Sequence, residues 1–261
     1  MSRLLERGGK ALDSTFVLQP AIVAASLGAA SALAGAGVKP AFVAGHSLGE
    51  VAAFCAAGVF GADAAIDLAA ERGRAMALCA ARRPGGMICV HAPCEAALQP
   101  MLELGRREGE LALAAHNAPD EWVLSGEPAA LSAVTAAHGS ERVPTHGAWH
   151  SSAMAGAVEE VRAAAHGRVL PPPHAPIVGN RDGRLLGAQD DFAALLAEQL
   201  TRPVRWAQTL STLAAAGVTD LVTVGPGKVL RALARKNLGT AVRVHGTEDA
   251  ADVKRTVEAL R

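Results

Sequence analysis

The chain has 261 residues, half of them hydrophobic, and its 25 basic residues balance 25 acidic ones. That apolar content excludes disorder and is enough for one large core, or for a large domain carrying a smaller inserted one. Charge neutrality, 3% aromatic residues and no Tyr exclude the basic footprint and stacking platforms of a nucleic-acid binder, and the polybasic patch of a membrane-surface protein.

Residues 1–13 are mixed and charged, without the apolar run of a secretion signal. Residues 16–38 are apolar, but Gln19, Pro20 and several small residues interrupt them, which predicts a buried core helix rather than a membrane span. The helix is expected over 20–34, with Pro20 in its first turn and Gly35 and Gly37 stopping it. A short strand over 41–45 and helices over 50–57 and 62–81 follow. The four cysteines, Cys55, Cys79, Cys89 and Cys94, are irregularly spaced in apolar surroundings with no C-x-x-C pair; they read as reduced, buried thiols of a cytoplasmic protein.

The rhythm then changes. Strand 86–92, helix 95–107, strands 110–116 and 122–125, helix 128–138 and strand 141–145 give the order β-α-β-β-α-β of a ferredoxin-like unit. The expected organisation is a small ferredoxin-like subdomain, 84–149, inserted into a large α/β subdomain formed by 1–83 and 150–261. Within the latter, a helix over 152–165 leads to the rigid connector Pro171-Pro172-Pro173. Strand 177–180, the turn Asp182-Gly183, helices 192–200 and 203–216, strand 220–224 and a helix from Lys228 complete the series.

Gly45-His46-Ser47-Leu48-Gly49 lies between a strand and a helix and fits G-x-S-x-G, the nucleophile elbow of α/β-hydrolase-like cores built on a parallel sheet. The turn demands small residues at its ends, exposes the Ser hydroxyl and points the positive end of the next helix at it. The Leu48 N–H is then placed to donate to an oxyanion. A serine hydroxyl needs a base. His146 and His150, in Pro144-Thr145-His146-Gly147-Ala148-Trp149-His150, fall where the inserted unit rejoins the large subdomain, and Trp149 can wall a pocket there. The rival reading of these two histidines as a metal pair needs a regular helix across Gly147 and lacks the Glu of zinc proteases. Gly225-Pro226-Gly227-Lys228 lacks phosphate-loop spacing, and no G-x-G-x-x-G follows a strand.

Five segments in order make the chain resemble the malonyl-CoA:acyl-carrier-protein transacylase family, including the acyltransferase domains of polyketide synthases. They are Leu18-Gln19-Pro20-Ala21, Val43 to Glu50 around the elbow, Arg72-Gly73-Arg74-Ala75-Met76, Gly147-Ala148-Trp149-His150-Ser151, and Gln199 to Trp206 followed by Val224 to Leu230. The resemblance implies that Ser47 is the acylated nucleophile and His150 its base, oriented by the backbone carbonyl of Gln199. It further implies that Leu48 contributes to the oxyanion hole and that Arg72 holds the free carboxylate of malonyl; Arg74, on another face of the same helix, reads as a surface residue. Gln19, Asn117 and Asn180 match substrate-site positions. Trp149 stands where the family usually has Phe, next to the base, where bulk crowds an α-methyl branch.

The implied partners are malonyl-CoA and a holo-acyl carrier protein; no metal or redox cofactor, nucleic acid or membrane is implied. Arg202, Arg205 and Lys228 form a candidate basic patch for an acidic carrier. The family's opening strand and Pro-Gly-Gln-Gly-Ser-Gln-like loop, which supplies a second oxyanion donor, has no counterpart here. Its loss would lower turnover on the order of 100- to 1000-fold, unless the start is misassigned or another segment or partner fills the gap. Two other functions fit the same residues: an acyl hydrolase acting on carrier-bound groups, and a truncated non-catalytic paralogue that binds a carrier.

Overall fold

The computed structural model describes residues 14–169 and 172–261. Residues 1–13, read above as lacking a secretion signal, and Pro171 of the proline connector lie outside the described residues. The fold is α/β, with helices packed around three small sheets.

Helix α1, Thr15–Gly35, starts ahead of Pro20, which lies inside it rather than in its first turn. The cause is packing on the helix α3, Ala62–Arg82. A Cβ on Gly73 would come within 2.6 Å of the Thr15 carbonyl oxygen, so the two helices meet backbone to backbone, and the contact holds the turn that precedes the proline. Among the described residues α1 is the one helix long and apolar enough to cross a membrane by length and composition. Here it lies against α3, with Ala21, Val23 and Leu33 buried and Phe16 exposed. On α3 the buried positions Ala65, Leu68, Ala69, Arg72, Ala75, Met76 and Cys79 recur at three- and four-residue spacing, the stripe of an amphipathic helix facing a core. Arg72 is the charged exception in that stripe.

Strand β1, Val43–Ala44, runs into helix α2, Gly49–Ala56. The unit that follows has its own core. Strands β2 (Gly86–His91), β3 (Leu111–Ala118), β4 (Glu121–Gly126) and β5 (Glu141–Val143) form an antiparallel sheet in the order β3-β4-β2-β5. Helices α4 (Gln99–Glu108) and α5 (Pro128–His138) contribute Leu102, Leu131 and Val134 to a cluster with Ile88, Val90, Leu111, Trp122 and Leu124 from the strands. Met87, Ala115 and Val123 join a second cluster shared with Val178, Val204 and Trp206.

The expected parallel sheet is mixed. Strand β6, Ile177–Val178, runs parallel to β1, but β7, Leu185–Leu186, folds back antiparallel on β6. The Asp182-Gly183 turn, with Gly183 at φ 70°, makes that short hairpin, and two-residue strands carry too little alternation to be read from sequence. Helix α6 (Val158–His166) follows a 3₁₀ turn over Ser152–Ala157. Helix α7 (Phe192–Glu198) tightens at its end into the 3₁₀ turn Gln199–Thr201. Helix α8 starts at Trp206 and ends at Ala215, later than expected, because Val204 pairs with β3 instead. The His116 N–H donates to the Val204 carbonyl at 2.8 Å, and the Val204 N–H to the Ala114 carbonyl at 2.9 Å. Strand β8 (Asp220–Thr223) and the unanticipated β9 (Arg243–Gly246) form a separate parallel pair. Helices α9 (Val229–Leu238) and α10 (Ala250–Ala259) pack beside it.

Candidate active site

The turn from β1 to α2 has no room for a side chain at its start. A Cβ on Gly45 would lie 2.0 Å from the Gly49 carbonyl oxygen. Ser47 then takes φ 50°, a left-handed conformation that costs a non-glycine residue about 1–3 kcal/mol and persists only where neighbours hold it. Asn180 holds it at two points. Its Oδ1 accepts from the Ser47 N–H at 2.7 Å, and its Nδ2 donates to the Gly45 carbonyl. Leu48 is the N-cap of α2, so its backbone lies at the positive end of that helix.

His150 is buried and also sits in the left-handed region, at φ 58°. The Ser47 hydroxyl and His150 Nε2 are 2.7 Å apart, and His150 Nδ1 lies 2.8 Å from the Gln199 carbonyl oxygen. The carbonyl can only accept, so Nδ1 carries the proton and Nε2 is left to accept from the hydroxyl. Burial, and next the charge of Arg72, push the imidazole down to about 3. It is therefore neutral across the physiological range.

Arg72 is 1% exposed. Its guanidinium donates to Gln19 Oε1 at 2.6 Å, to Gln199 Oε1 at 2.9 Å and to the Ser47 hydroxyl at 3.3 Å, while its Nε has no partner among the described residues. Burial lowers its pKa to about 10, opposed by the Glu50 carboxylate. These partners are neutral oxygens, so among the described residues the site holds a desolvated cation with no carboxylate bonded to it, an arrangement suited to an anionic group.

Of the residues singled out from sequence, Ser47, His150, Gln199, Arg72, Gln19 and Asn180 meet in one hydrogen-bonded cluster. Asn117 stands one step away. Its Oδ1 accepts from His46 Nε2 at 2.9 Å, and His46 packs edge-on against Trp206 at 5.5 Å. Trp149 is half-buried, with its ring over Gly147, where a Cβ would come within 2.5 Å of it. His146 is exposed, and no cluster of three metal-ligating side chains occurs among the described residues. Arg74 is a surface residue paired with Glu160. In the candidate basic patch, Arg202 faces Glu198 and Arg205 pairs with Glu95.

Sequence reasoning gave no role to Glu50, yet its carboxylate is buried in this cluster. The signal available was its place in the first turn of the helix that follows Ser47, facing inward.

Residues 2–258 match the acyl transferase domain family. The Mycobacterium tuberculosis malonyl CoA-acyl carrier protein transacylase is 36% identical over 234 residues, covering 87% of this chain and 76% of the relative. The chain belongs to the malonyl CoA-acyl carrier protein transacylase family. A solved transacylase from Clostridium perfringens superposes with a TM-score of 0.92 at 25% identity, over 100% of this chain and 84% of that one. A malonyl-transacylase solved with its type II polyketide acyl-carrier protein superposes with a TM-score of 0.91 at 26% identity, over 99% of this chain and 86% of that one.

Proposed function

We propose that this transacylase moves a malonyl group from coenzyme A to the phosphopantetheine thiol of a holo-acyl carrier protein, through an ester on Ser47. The observation that carries this reading is the chain from the Ser47 hydroxyl through His150 to the Gln199 carbonyl, with the Arg72 guanidinium 3.3 Å from the same hydroxyl. The relatives' names supply the acyl donor and acceptor.

In the first half-reaction His150 Nε2 takes the Ser47 proton as the oxygen attacks the thioester carbonyl. The Leu48 N–H and the N-terminal end of α2 stabilise the oxyanion. The carbon–sulfur bond breaks, and His150 returns the proton to the departing CoA sulfur. In the second, the carrier's thiol gives its proton to His150 and attacks the ester, and Ser47 recovers the proton as it leaves. Arg72 anchors the malonyl carboxylate with Gln19 beside it, while Asn180 holds the elbow. Asn117 fixes His46, and Trp149 narrows the space beside the base, favouring malonyl over its α-methyl analogue.

The same reading divides the chain into a large α/β-hydrolase-like subdomain, 1–83 and 150–261, and a small ferredoxin-like one, 84–149. The small unit's strand order and separate apolar cluster support the division. A cytoplasmic location accords with the four free cysteines, although of the four expected to be buried only Cys79 is, Cys55 and Cys89 being half-buried and Cys94 exposed.

The test is to mix the protein with malonyl-CoA and a holo-acyl carrier protein and to follow malonyl on the carrier against free malonate. Transfer to the carrier is expected; release of malonate with an unloaded carrier would indicate a hydrolase instead.

A further inference from the structure

The buried carboxylate under the nucleophile joins both supports of the reactive pair. Glu50 Oε1 accepts from the Asn180 N–H at 2.8 Å, and Oε2 accepts from Gln199 Nε2. Asn180 is the residue whose side chain clamps the elbow at Gly45 and Ser47. Gln199 is the residue whose carbonyl orients His150, and its side-chain Nε2 also donates to the Ser47 carbonyl at 3.1 Å. One side chain thus ties the segment carrying Asn180 and the turn carrying Gln199 to the helix carrying Ser47.

The hydrogen bonds also have a fixed direction. Arg72 has only donors, so Gln199 must turn its oxygen toward Arg72 and its amide nitrogen toward Glu50. Glu50 then faces two donors and satisfies both only with two accepting oxygens. A neutral acid or an amide presents a hydrogen to one of them. The alternative, flipping Gln199, sets its amide nitrogen against Arg72. From either end, the wrong polarity displaces the turn that aims His150.

We infer that Glu50 is a positioning residue of the transacylase, holding Ser47 and His150 in register through Asn180 and Gln199 by means of its ionised carboxylate. The inference deepens the reading above for the same site. The charged and titratable groups around Glu50 are Arg72 on α3, His150 beyond Gln199, His46 at the elbow, and Arg181, Glu198 and Arg202. The last three line a narrow pocket that also includes Glu50, Asn180 and Gln199, with room for about one water molecule. Burial raises the Glu50 carboxyl to about 7, against the lowering by the Asn180 N–H, Gln199 and Arg72. Its ionisation therefore falls near neutral pH.

The test uses a fluorophosphonate, which reacts with an activated serine and needs no malonyl group, alongside acylation by malonyl-CoA. Glu50→Gln keeps shape and loses polarity; Glu50→Asp keeps the charge on a shorter arm. Expected for Glu50→Gln is a fall in the labelling rate of Ser47 on the order of 100-fold, the effect of a misplacement near 1 Å. KM for malonyl-CoA changes far less than the labelling rate, and part of the rate returns in Glu50→Asp. A folded Glu50→Gln protein labelled within about twofold of the parent rate would overturn the inference. Should that variant not fold, the unmodified protein decides. Its labelling rate is expected to rise with pH through a limb near 7, because Glu50 protonates there, whereas His150, pushed down to about 3, supplies no limb in that range. A flat profile between pH 5.5 and 8.5 (about one and a half pH units on each side of the Glu50 limb) would overturn it. Fluorophosphonate labelling without malonyl-CoA acylation would sink the substrate reading and leave the positioning role standing.

Discussion

Replacing Arg72 with methionine separates what the guanidinium does for the substrate from what it does to the fold. Arg72 is buried, and among the described residues its side chain bonds only to Gln19, Gln199 and Ser47. Its pKa, lowered from the ordinary guanidinium value to about 10 by burial against the opposing Glu50 charge, corresponds to a net cost of about 3 kcal/mol. Both values lie above the neutral range, so the cost is present throughout it. Methionine fills similar volume and removes that cost, but it leaves the buried Gln19 and Gln199 oxygens without their donor and the buried Glu50 carboxylate without its counter-charge, each loss being worth about 1–3 kcal/mol. The urea midpoint of Arg72→Met is therefore expected to fall modestly, at unchanged slope.

The substrate loses more. Two charge-assisted hydrogen bonds to a carboxylate, each worth about 1.5–3 kcal/mol, amount to a loss of about 100- to 1000-fold in malonyl acylation after the cost of displacing Gln199 and Ser47. Acetyl-CoA, with no carboxylate, has nothing to lose. Intact-mass time courses with each acyl-CoA read both rates. The reasoning is refuted if the variant keeps its parent's preference for malonyl over acetyl within about threefold.

Three further outcomes follow from the site. Gly45→Ala places a Cβ 2.0 Å from the Gly49 carbonyl, so the elbow must open. Acylation is expected to fall by at least about 100-fold with a lowered melting temperature, and a stable variant of parental activity would contradict the tight turn. His150→Gln tests the buried imidazole by its effect on stability. The folded protein refuses a proton until about pH 3, whereas the unfolded chain accepts one near 6.5, so the parent loses stability as pH falls from 6.5 toward 3. At pH 5 the variant is expected to lack a destabilisation on the order of 2 kcal/mol, read from urea melts at pH 5 and 8; parallel pH dependence in both proteins would argue against a neutral His150. Trp149→Phe removes bulk beside the base and is expected to raise acylation by methylmalonyl-CoA relative to malonyl-CoA in competition. An unchanged ratio would place the selectivity elsewhere.

Much of the site was legible because its chemistry is local. Gly45 and Gly49 flanking Ser47 mark a turn whose geometry follows from the absence of side chains, and the apolar spacing on α3 places Arg72 on the buried face. The hub formed by Glu50, Asn180 and Gln199 was not legible as such. Its members stand 130 and 149 residues apart in sequence, and no periodicity records which amide turns its nitrogen toward which oxygen. The fold shows the same limit. Long helices such as α3 and α5 follow from periodicity and glycine stops, whereas β7 and β9 depend on partners elsewhere in the chain. The extended run before Trp206 is held by β3, a tertiary contact that overrides the expected helix start at Pro203.

The central claim is a covalent one, and site-resolved mass spectrometry of acid-quenched, protease-digested protein after brief exposure to malonyl-CoA alone tests it most directly. A malonyl group on the peptide containing Ser47, absent from Ser47→Ala and nearly absent from His150→Gln, is the expected result. Malonyl on another residue, or a Ser47 peptide left unmodified by malonyl-CoA, would contradict the account.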